Sequence, residues 1–266
     1  MEFVRVVVNG ALGRMGQEIA KAVVLEPEMK AVGAVEKEVA QQYLPLAGTM
    51  ELVPFSSDLG ALLKECNADV VVDFTDAEAS IAAARTAIRQ KVSMVIGTTG
   101  LSEDDLREIE QLCKENGVGA IVASDFSLGA ALLVHLSRYA SRFFDHAEIV
   151  EMHHGTKADV PSETAIATAG AMLEGHGKPF ECPESEQEKV GDARGVMIDG
   201  IAVHSVRLPG FLAGQEVIFS DAGETLSLHH NAMSRECYLQ GVLLAIKRVV
   251  KRKGLTCGLD ALLDLE

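Results

Sequence analysis

The sequence predicts an α/β protein, with a doubly wound parallel sheet followed by a smaller region of mixed α+β structure. Over the first 125 residues, short β-branched runs alternate with longer helical patterns. This alternation is typical of parallel strands that are joined by crossover helices. The strand runs are nearly continuously apolar, as expected for strands that are covered on both faces.

Each element of the first region has its own local signal. Thr75 and Glu78 form a capping-box pattern that predicts the start of a helix. Ser102 and Asp105 form the same pattern, and Gly117 can end the helix that they begin. The strands are predicted at residues 3–8, 30–35, 69–73, 92–96 and 119–123.

Beyond residue 126 the order of elements changes. An apolar helix leads into a strand and a second helix, then three strand-like runs and a final helix. Such an order favours a mixed or antiparallel sheet rather than more crossover units. The helices are predicted at 129–144, 163–173 and 235–251, and the strands at 148–152, 200–207, 216–220 and 225–230.

Composition and charge argue against binding to nucleic acid or membranes and against a disulfide-rich or metal-binding protein. With 39 acidic and 24 basic side chains, the net charge of -15 disfavours binding to nucleic acid or to an anionic membrane surface. A small anionic substrate remains possible, because salt screens distant charges over about 8 to 10 Å. The 5 cysteines are odd in number and far apart, so they predict neither a disulfide framework nor a metal site. The chain shows no targeting signal or membrane span, and we expect a cytoplasmic protein.

A glycine-rich turn follows the first predicted strand. Residues 10–16 read G-A-L-G-R-M-G, a spacing that lets the backbone approach a pyrophosphate at the start of the next helix. Glu36 ends the second strand about twenty residues after Gly16, where an acid can accept hydrogen bonds from an adenosine ribose. A purely structural turn is the alternative, because the pattern is not the strict G-x-G-x-x-G. The position at the first strand-to-helix junction favours dinucleotide binding.

The charges around Glu36 leave two nicotinamide cofactors open. Glu36 favours NADH through bonds to ribose hydroxyls, whereas Lys37 or Arg14 could neutralise the extra phosphate of NADPH. A solvated surface charge is the alternative for Lys37. The sequence therefore predicts NADH or NADPH as the cofactor.

Two more polar loops leave the carboxyl ends of predicted strands, where ligands bind in open α/β sheets. They are D-F-T at residues 73–75 and G-T-T-G at residues 97–100. The second loop could line the nicotinamide ribose or carboxamide. On its own, it is only a polar turn.

Residues 151–165 read E-M-H-H-G-T-K-A-D-V-P-S-E-T-A and carry the most chemistry in the chain. Adjacent side chains of an extended segment point to opposite faces, so His153 and His154 are not expected to bind one metal ion. One histidine could donate a proton near neutral pH, and Lys157 could supply a cation or a second donor.

The same segment predicts the start of a helix. Ser162 is a plausible N-cap, which would leave the N–H groups of Glu163 and Thr164 directed at an anion such as a carboxylate. The alternative is a capped helix that merely follows two surface histidines. The segment taken by itself leaves both interpretations open.

Taken in order, these motifs resemble those of one known family. The glycine loop, D-F-T, G-T-T-G, F-S-L-G at residues 126–129 and H-H-x-x-K-x-D-x-P-S at residues 153–162 resemble the 4-hydroxy-tetrahydrodipicolinate reductase (dihydrodipicolinate reductase) family. The resemblance extends from about residue 4 to residue 250. It implies the reduction of a cyclic imine dicarboxylate by NADH or NADPH in diaminopimelate and lysine synthesis.

The resemblance also implies a domain organisation. It implies a Rossmann-type dinucleotide-binding domain formed by residues 1–125 and 234–266. It implies a smaller mixed α+β domain over residues 126–233 for substrate binding and oligomerisation. Members of the family are usually homotetramers, so we expect a homotetramer with a small dicarboxylate substrate and no nucleic-acid or membrane partner.

The roles of individual residues are implied by the same resemblance. His153 matches the catalytic proton donor and Lys157 its companion, while His154 and the backbone of Glu163 and Thr164 match the site for the substrate carboxylate. No residue is expected to bind a metal. The positions that match the cofactor site are Gly10, Gly13, Arg14, Met15, Glu36, Lys37, Phe74, Gly97, Thr98, Thr99, Ala123, Ser124, Asp125 and Phe126.

Two positions depart from the family pattern. Glu163 replaces the glycine of the usual P-S-G-T, and Asp125 stands where the family commonly has asparagine. A carboxylate at the start of a helix suits the helix dipole, but it repels a dianion unless its side chain turns outward. Two other functions therefore stay open, namely a related nicotinamide-dependent dehydrogenase acting on another small carboxylate and a nucleotide-sensing protein without turnover.

Overall fold

The computed structural model describes residues 3–46, 51–183, 191 and 193–263. Residues 264–266, which belong to the expected dinucleotide-binding domain, lie outside the described residues. The described chain divides into two compact units. The first unit spans Met1–Phe126 and Tyr238–Asp264, and the second unit spans Ser127–Cys237.

Strands and helices alternate through the first half of the chain, and strands dominate the second half. The strands are β1 (Val4–Asn9), β2 (Met29–Val35), β3 (Tyr43–Pro45), β4 (Leu52–Ser56), β5 (Val70–Asp73), β6 (Ser93–Ile96), β7 (Gly119–Val122), β8 (His146–His153), β9 (Val196–Ile198), β10 (Ile201–Arg207), β11 (Ala213–Asp221), β12 (Glu224–Ala232) and β13 (Gly254–Cys257). The α-helices are α1 (Arg14–Leu25), α2 (Leu59–Cys66), α3 (Ala77–Arg89), α4 (Glu103–Asn116), α5 (Leu128–Ala140), α6 (Glu163–His176) and α7 (Leu239–Val249). Two short 3-10 helices cover Arg235–Tyr238 and Asp260–Leu262.

The first unit contains the predicted doubly wound sheet. Its strands lie in the order β13-β7-β6-β5-β1-β2-β4-β3, and every pair is parallel except β3 with β4. The chain moves from β1 to β2 on one side and to β5 on the other, so the order of strands reverses beside β1. Loops that follow parallel strands at such a reversal share one edge of the sheet, which is where these folds bind ligands.

The predicted parallel strands β1, β2, β5, β6 and β7 are confirmed, with ends shifted by one residue. The sequence did not predict β3, β4, α2 or β13. Strand β4 was missed because Pro54 lies inside it and Pro disfavours a strand. Strand β13 begins at Gly254, whose φ is +84°, and extends the sheet beside β7.

Helix caps confirm one of the predicted starts and correct another. Ser102 and Asp105 form the expected capping box, and Gly117 ends α4 in the left-handed conformation. The predicted cap at Thr75 is wrong, because the side chain of Asp76 caps α3 by accepting a hydrogen bond from Ala79 N at 2.9 Å. The Thr75 hydroxyl donates instead to a buried aspartate, and this leaves the next residue to cap the helix.

The second unit is the predicted mixed α+β region. Its sheet has the order β12-β11-β8-β10-β9, in which only the β10–β8 pair is parallel among the described strands. Helices α5 and α6 pack on one face and share a core with alternate residues of the sheet. Because side chains alternate along a strand, Glu151 and His153 lie on the same face of β8 as Ile149. The core includes Leu133, Ala147, Ile149, Ala165, Ala169, Met172, Ile201, Val203, Val217 and Phe219.

Candidate active site

The glycine loop joins β1 to α1 by a very tight turn. Gly10 has a φ of +76°, and a Cβ at Gly16 would lie 2.0 Å from the carbonyl oxygen of Gly10. Helix α1 begins after Gly13 with no side-chain cap and no acidic residue in its first turn. The positive end of the helix is therefore open to an anion such as a pyrophosphate.

Glu36 lies directly beside this loop. Its carboxylate accepts hydrogen bonds from Leu12 N at 3.2 Å and Lys37 N at 3.0 Å. The Lys37 ammonium lies 3.2 Å from Asp76, and both side chains are exposed. The N–H of Ala79, together with Lys37, holds the pKa of Asp76 below its ordinary value. Lys37, which could neutralise the extra phosphate of NADPH, therefore already has a carboxylate partner.

A cavity of about 440 Å³ opens at the same edge of the sheet. Its volume falls in the range of small-molecule pockets, and a mostly apolar lining with a few polar groups suits a nucleoside. The sequence did not predict the contribution of Leu59, because it did not predict α2. The lining includes Asn9, Gly10, Val35, Glu36, Leu59, Thr75, Ala79, Ala82, Ala83 and Thr86.

A buried carboxylate ties the polar loops together. The side chain of Asp73 is fully buried and accepts from Thr75 N at 3.1 Å, Thr75 Oγ1 at 2.8 Å and Thr98 Oγ1 at 3.3 Å. The Asn9 amide and the Ser80 hydroxyl also donate to it. The ends of β1, β5 and β6 are thus fixed to one another, and the Thr98 hydroxyl points inward to this network.

Aromatic packing places the remaining predicted cofactor residues. The ring of Phe74 lies on Gly97, where a Cβ would come within 2.1 Å of it, and its centroid is 5.5 Å from that of Phe126. Phe126 is buried, whereas Thr99 and Ser124 are exposed. The structure therefore brings the loops after β5, β6 and β7 together within the first unit.

In the second unit, His153 is held by a buried carboxylate. His153 Nδ1 lies 2.5 Å from Glu151 Oε2, and the side chain of Glu151 is 0% exposed. Arg207 donates to both carboxylate oxygens of Glu151, from Nη2 to Oε1 at 2.7 Å and from Nη1 to Oε2 at 2.9 Å. Arg207 stands opposite His153 in the parallel pair of β10 and β8. The three side chains form one hydrogen-bonded cluster.

Burial and charge act in opposite directions on this cluster. Burial lowers the pKa of His153 below its ordinary value, although the bond and charge of Glu151 oppose the change. Burial alone would raise the pKa of Glu151, but hydrogen bonds from Arg207, Ser205 and His153 outweigh it and leave that pKa below its ordinary value. Glu151 is therefore an anion near neutral pH.

The loop after β8 carries the predicted lysine. Lys157 Nζ lies 2.8 Å from Asp159 Oδ2, and this bond holds the pKa of Asp159 below its ordinary value. The carbonyl of Asp159 accepts from Arg207 Nη2 at 2.7 Å, so Arg207 also fixes this loop. His154 is exposed and pairs with Thr156 Oγ1 at 2.9 Å, separately from the partners of His153.

Helix α6 begins at the predicted residue. Ser162 is its N-cap, as predicted, and its hydroxyl accepts from Ala165 N at 3.2 Å. The cap is made to Ala165, the third residue of the helix, and not to Glu163 or Thr164. Glu163 is exposed, and the Thr164 carbonyl accepts from Thr168 Oγ1 at 2.7 Å.

Sequence reasoning gave no role to Glu151 or Arg207. A signal for Glu151 existed, because it lies two residues before His153 in a predicted strand and must share its face. Arg207 offered no local signal, since its place depends on the pairing of β10 with β8.

The described residues also show how metal-ligating groups, apolar helices and thiols are arranged. No group of three His, Cys, Asp or Glu side chains there is arranged to hold a metal ion. None of the helices in the described ranges is long and apolar enough to cross a membrane. None of the 5 cysteines forms a disulfide, and burial raises the pKa of Cys113 to about 11, which makes its thiol a poor nucleophile.

Comparison with known proteins covers both units. The family model for the N-terminal part of dihydrodipicolinate reductase matches residues 4–126. The family model for the C-terminal part matches residues 129–263. A 4-hydroxy-tetrahydrodipicolinate reductase from Dehalococcoides mccartyi is 52% identical over 262 residues, covering 98% of this chain and 99% of the relative. The enzyme of the same name from Moorella thermoacetica is 46% identical over 267 residues, covering 98% of each chain.

A solved structure agrees with these relatives. The dipicolinate-bound dihydrodipicolinate reductase from Paenisporosarcina sp. TG-14 superimposes with a TM-score of 0.87 at 32% identity, covering 97% of this chain and 99% of that one. The resemblance that the motifs predicted is thus confirmed over both units. The chain belongs to the dihydrodipicolinate reductase family.

Proposed function

We propose that this protein reduces 4-hydroxy-tetrahydrodipicolinate to tetrahydrodipicolinate with NADH or NADPH, a step in diaminopimelate and lysine synthesis. The substrate is a cyclic imine dicarboxylate. Its conversion removes the 4-hydroxyl as water, so the reaction takes up one hydride and one proton. The observation that carries the proposal is the arrangement of Glu151 and His153 on β8 with Lys157 in the loop that follows, in a chain whose relatives bear this activity in their names.

The first unit fits a nicotinamide dinucleotide. Only glycine fits at Gly16, and the uncapped start of α1 offers N–H groups to a pyrophosphate. Arg14 and Met15 are the first residues of that helix. Glu36 would accept from the adenosine ribose, with the adenine in the adjoining cavity. When bound, NADH or NADPH supplies the hydride.

Lys37 bears on the use of either cofactor. In NADH, the ribose offers only hydroxyls, and Lys37 keeps its bond to Asp76. In NADPH, the ribose phosphate offers Lys37 a more highly charged partner than one carboxylate, and Arg14 adds a second cation. We propose that both cofactors are used for this reason.

The nicotinamide end would be held by the loops after β6 and β7. These loops contain Gly97, Thr98, Thr99 and residues 123–126, and they lie at the same edge of the sheet as the glycine loop. The packed rings of Phe74 and Phe126 support these loops. Asp125 would contribute a carboxylate where the family pattern implies an asparagine amide.

The second unit would hold and protonate the substrate. His153 would donate the proton, which general acid catalysis makes worth about 10² to 10⁴ in rate. Lys157 would exchange Asp159 for a substrate carboxylate, and His154 with the N–H groups of Glu163 and Thr164 would bind a carboxylate as well. Because Glu163 is exposed, its side chain can turn to solvent and away from a bound carboxylate.

We also propose a cytoplasmic homotetramer. The sheet face opposite α5 and α6 carries side chains that are only half-buried in one chain, and further copies would cover them. Cysteines that form no disulfide suit a reducing compartment. The half-buried side chains of this face include Val150, Met152, Val206 and Ile218.

A steady-state assay tests the proposed function. The imine formed from pyruvate and aspartate semialdehyde is offered with NADH and, separately, with NADPH, and the product is identified by mass spectrometry. We expect oxidation of both cofactors that depends on the imine. Turnover of other small carboxylates only would favour a related dehydrogenase, and cofactor binding without any turnover would favour a nucleotide sensor.

A further inference from the structure

The carboxylate of Glu151 and the guanidinium of Arg207 form a hydrogen-bonded cluster with His153, and neither residue had a role predicted from the sequence. We propose that Glu151 is a positioning residue for His153, and that Arg207 holds Glu151 in place for this task. Glu151 accepts a hydrogen bond from Nδ1–H of the imidazole, which leaves Nε2 as the nitrogen that releases the proton. The proposal rests on the proposed function in one respect only, since it assigns His153 as the proton donor.

The geometry of the pair leaves one arrangement of hydrogens. An ionised carboxylate can only accept, so the 2.5 Å contact between Glu151 Oε2 and His153 Nδ1 requires the hydrogen on Nδ1. This holds whether the imidazole is neutral or charged. The proton that the imidazole gains and releases is therefore the one on Nε2, because the hydrogen bond at one ring nitrogen determines whether the other is protonated.

Arg207 fixes the carboxylate in the orientation that this bond needs. Its two terminal nitrogens bind the two oxygens of Glu151 at 2.7 and 2.9 Å, which prevents the carboxylate from rotating. The same guanidinium binds the carbonyl of Asp159 at 2.7 Å. Arg207 therefore positions both the strand that carries His153 and the loop that carries Lys157.

The charge on His153 responds to groups on each neighbouring element. Glu151, on its own strand, stabilises the imidazolium, whereas Lys157 from the following loop and Arg207 from β10 disfavour it. The neighbour of His153 on β11 is Ala213, which carries no charge. Loss of the Glu151 charge should thus leave a more acidic imidazolium that is protonated over a narrower range of pH.

The first test measures the tautomer in the wild-type protein without cofactor or substrate. Histidine is labelled with ¹⁵N, and the His153 signals are identified as those lost in His153→Gln. We expect a neutral imidazole with hydrogen on Nδ1 and none on Nε2. The opposite tautomer overturns the proposal. Because no turnover is involved, a failure of the proposed reductase activity would leave this result standing.

The second test uses Glu151→Gln with Asp145→Asn as the matched control. Asp145 also bonds a histidine and a cation, His176 and Lys178, but it lies at the other end of β8. In Glu151→Gln we expect kcat to fall about 100-fold or more, with KM and cofactor Kd nearly unchanged. The pH at which kcat falls on the alkaline side should move down. Asp145→Asn should keep the wild-type kcat and pH profile.

Specific outcomes would overturn this assignment. An unchanged alkaline midpoint in Glu151→Gln, or an equal loss of kcat in Asp145→Asn, would mean that the carboxylate acts only through general stability. Circular dichroism and cofactor binding establish that each variant is folded. If Glu151→Gln does not fold, the tautomer in the wild-type protein decides the matter.

Discussion

Two clusters at opposite ends of β8 contain the same kinds of group in different surroundings. At one end, Asp145 lies 3.2 Å from His176 Nε2 and 2.8 Å from Lys178 Nζ, and its side chain is 53% exposed. At the other end, Glu151 contacts His153 and Arg207 and its side chain is 0% exposed. Each cluster pairs one carboxylate with one histidine and one cation.

The two histidine side chains are similarly buried, 12% exposed for His153 and 5% for His176, so the clusters differ in the burial of their carboxylates, and this difference gives them different tasks. The ring of His176 stacks on Phe180 with centroids 4.2 Å apart, so it packs the turn that follows α6. Solvent screens the charges around Asp145, and the cluster adds little beyond this packing. Around Glu151, water cannot replace a lost partner, so each charge depends strongly on the others. A carboxylate, a histidine and a cation often lie together on a protein surface. When the carboxylate is buried, as Glu151 is, the same groups can control the protonation of the histidine.

The largest expected effect separates the two histidines. His153→Gln should lower kcat about 10² to 10⁴-fold, because the proton donor is lost, while the affinity for NADH or NADPH stays the same. His176→Gln is the matched control and should retain kcat. Steady-state kinetics and cofactor fluorescence titrations measure both quantities. An equal fall in kcat for both variants would remove the functional distinction between the clusters.

The next effect concerns the two cations. Arg207→Gln leaves Glu151 buried without its main partner, and breaking a buried ion pair in this way costs about 3 to 5 kcal/mol. Urea unfolding should show this loss in the free energy of unfolding. Lys178→Gln, at the exposed cluster, should leave the urea midpoint close to that of the wild type. Similar midpoints for the two variants would contradict the assigned difference in burial.

The sequence predicted most of the first unit because its signals are local. Parallel strands covered on both faces are continuously apolar, and caps such as Ser102 are set by neighbouring residues. The Thr75 cap was wrong because the Thr75 hydroxyl donates to Asp73, two residues earlier, and this competing local contact leaves Asp76 to cap the helix. Strand β4 was not predicted because it contains Pro54, and proline disfavours a strand.

The residues of the candidate site also divide into those with a local sequence signal and those without one. His153, Lys157 and the glycine loop could be identified because their motifs are contiguous in sequence. Arg207 could not, because it meets Glu151 only through the pairing of β10 with β8, and the two residues are 56 apart in the chain. Side chains that hold a catalytic residue from a neighbouring strand leave no pattern within a single segment.

A smaller effect is expected in the pH dependence of stability. The pKa of His153 is lower in the folded protein than its ordinary value of 6.5, so the unfolded chain binds the proton more strongly. Stability should be fully present above pH 6.5 and should fall as the pH drops below it. Glu151, whose pKa is also lowered, adds a further loss below its ordinary value of 4.5.

Urea unfolding at a series of pH values measures this dependence. In His153→Gln, the decline between pH 6.5 and 4.5 should be shallower than in the wild type. Asp145→Asn should keep the wild-type decline over that interval, because the ordinary pKa of Asp145 lies below it, at 3.8. A decline that is unchanged in His153→Gln would show that another group causes it.

The smallest effect is expected at Glu163, which departs from the glycine of the P-S-G-T pattern that the sequence resembles. Glu163→Gly should leave kcat unchanged and lower KM for the dicarboxylate modestly, because one negative charge leaves the start of α6. Glycine costs a helix about 0.5 to 1 kcal/mol, so the variant should also be slightly less stable. Glu174→Gly, exposed near the other end of the same helix, should lose similar stability without any change in KM. A sharp loss of activity in Glu163→Gly alone would mean that this carboxylate itself contacts the substrate or holds its binding turn in place.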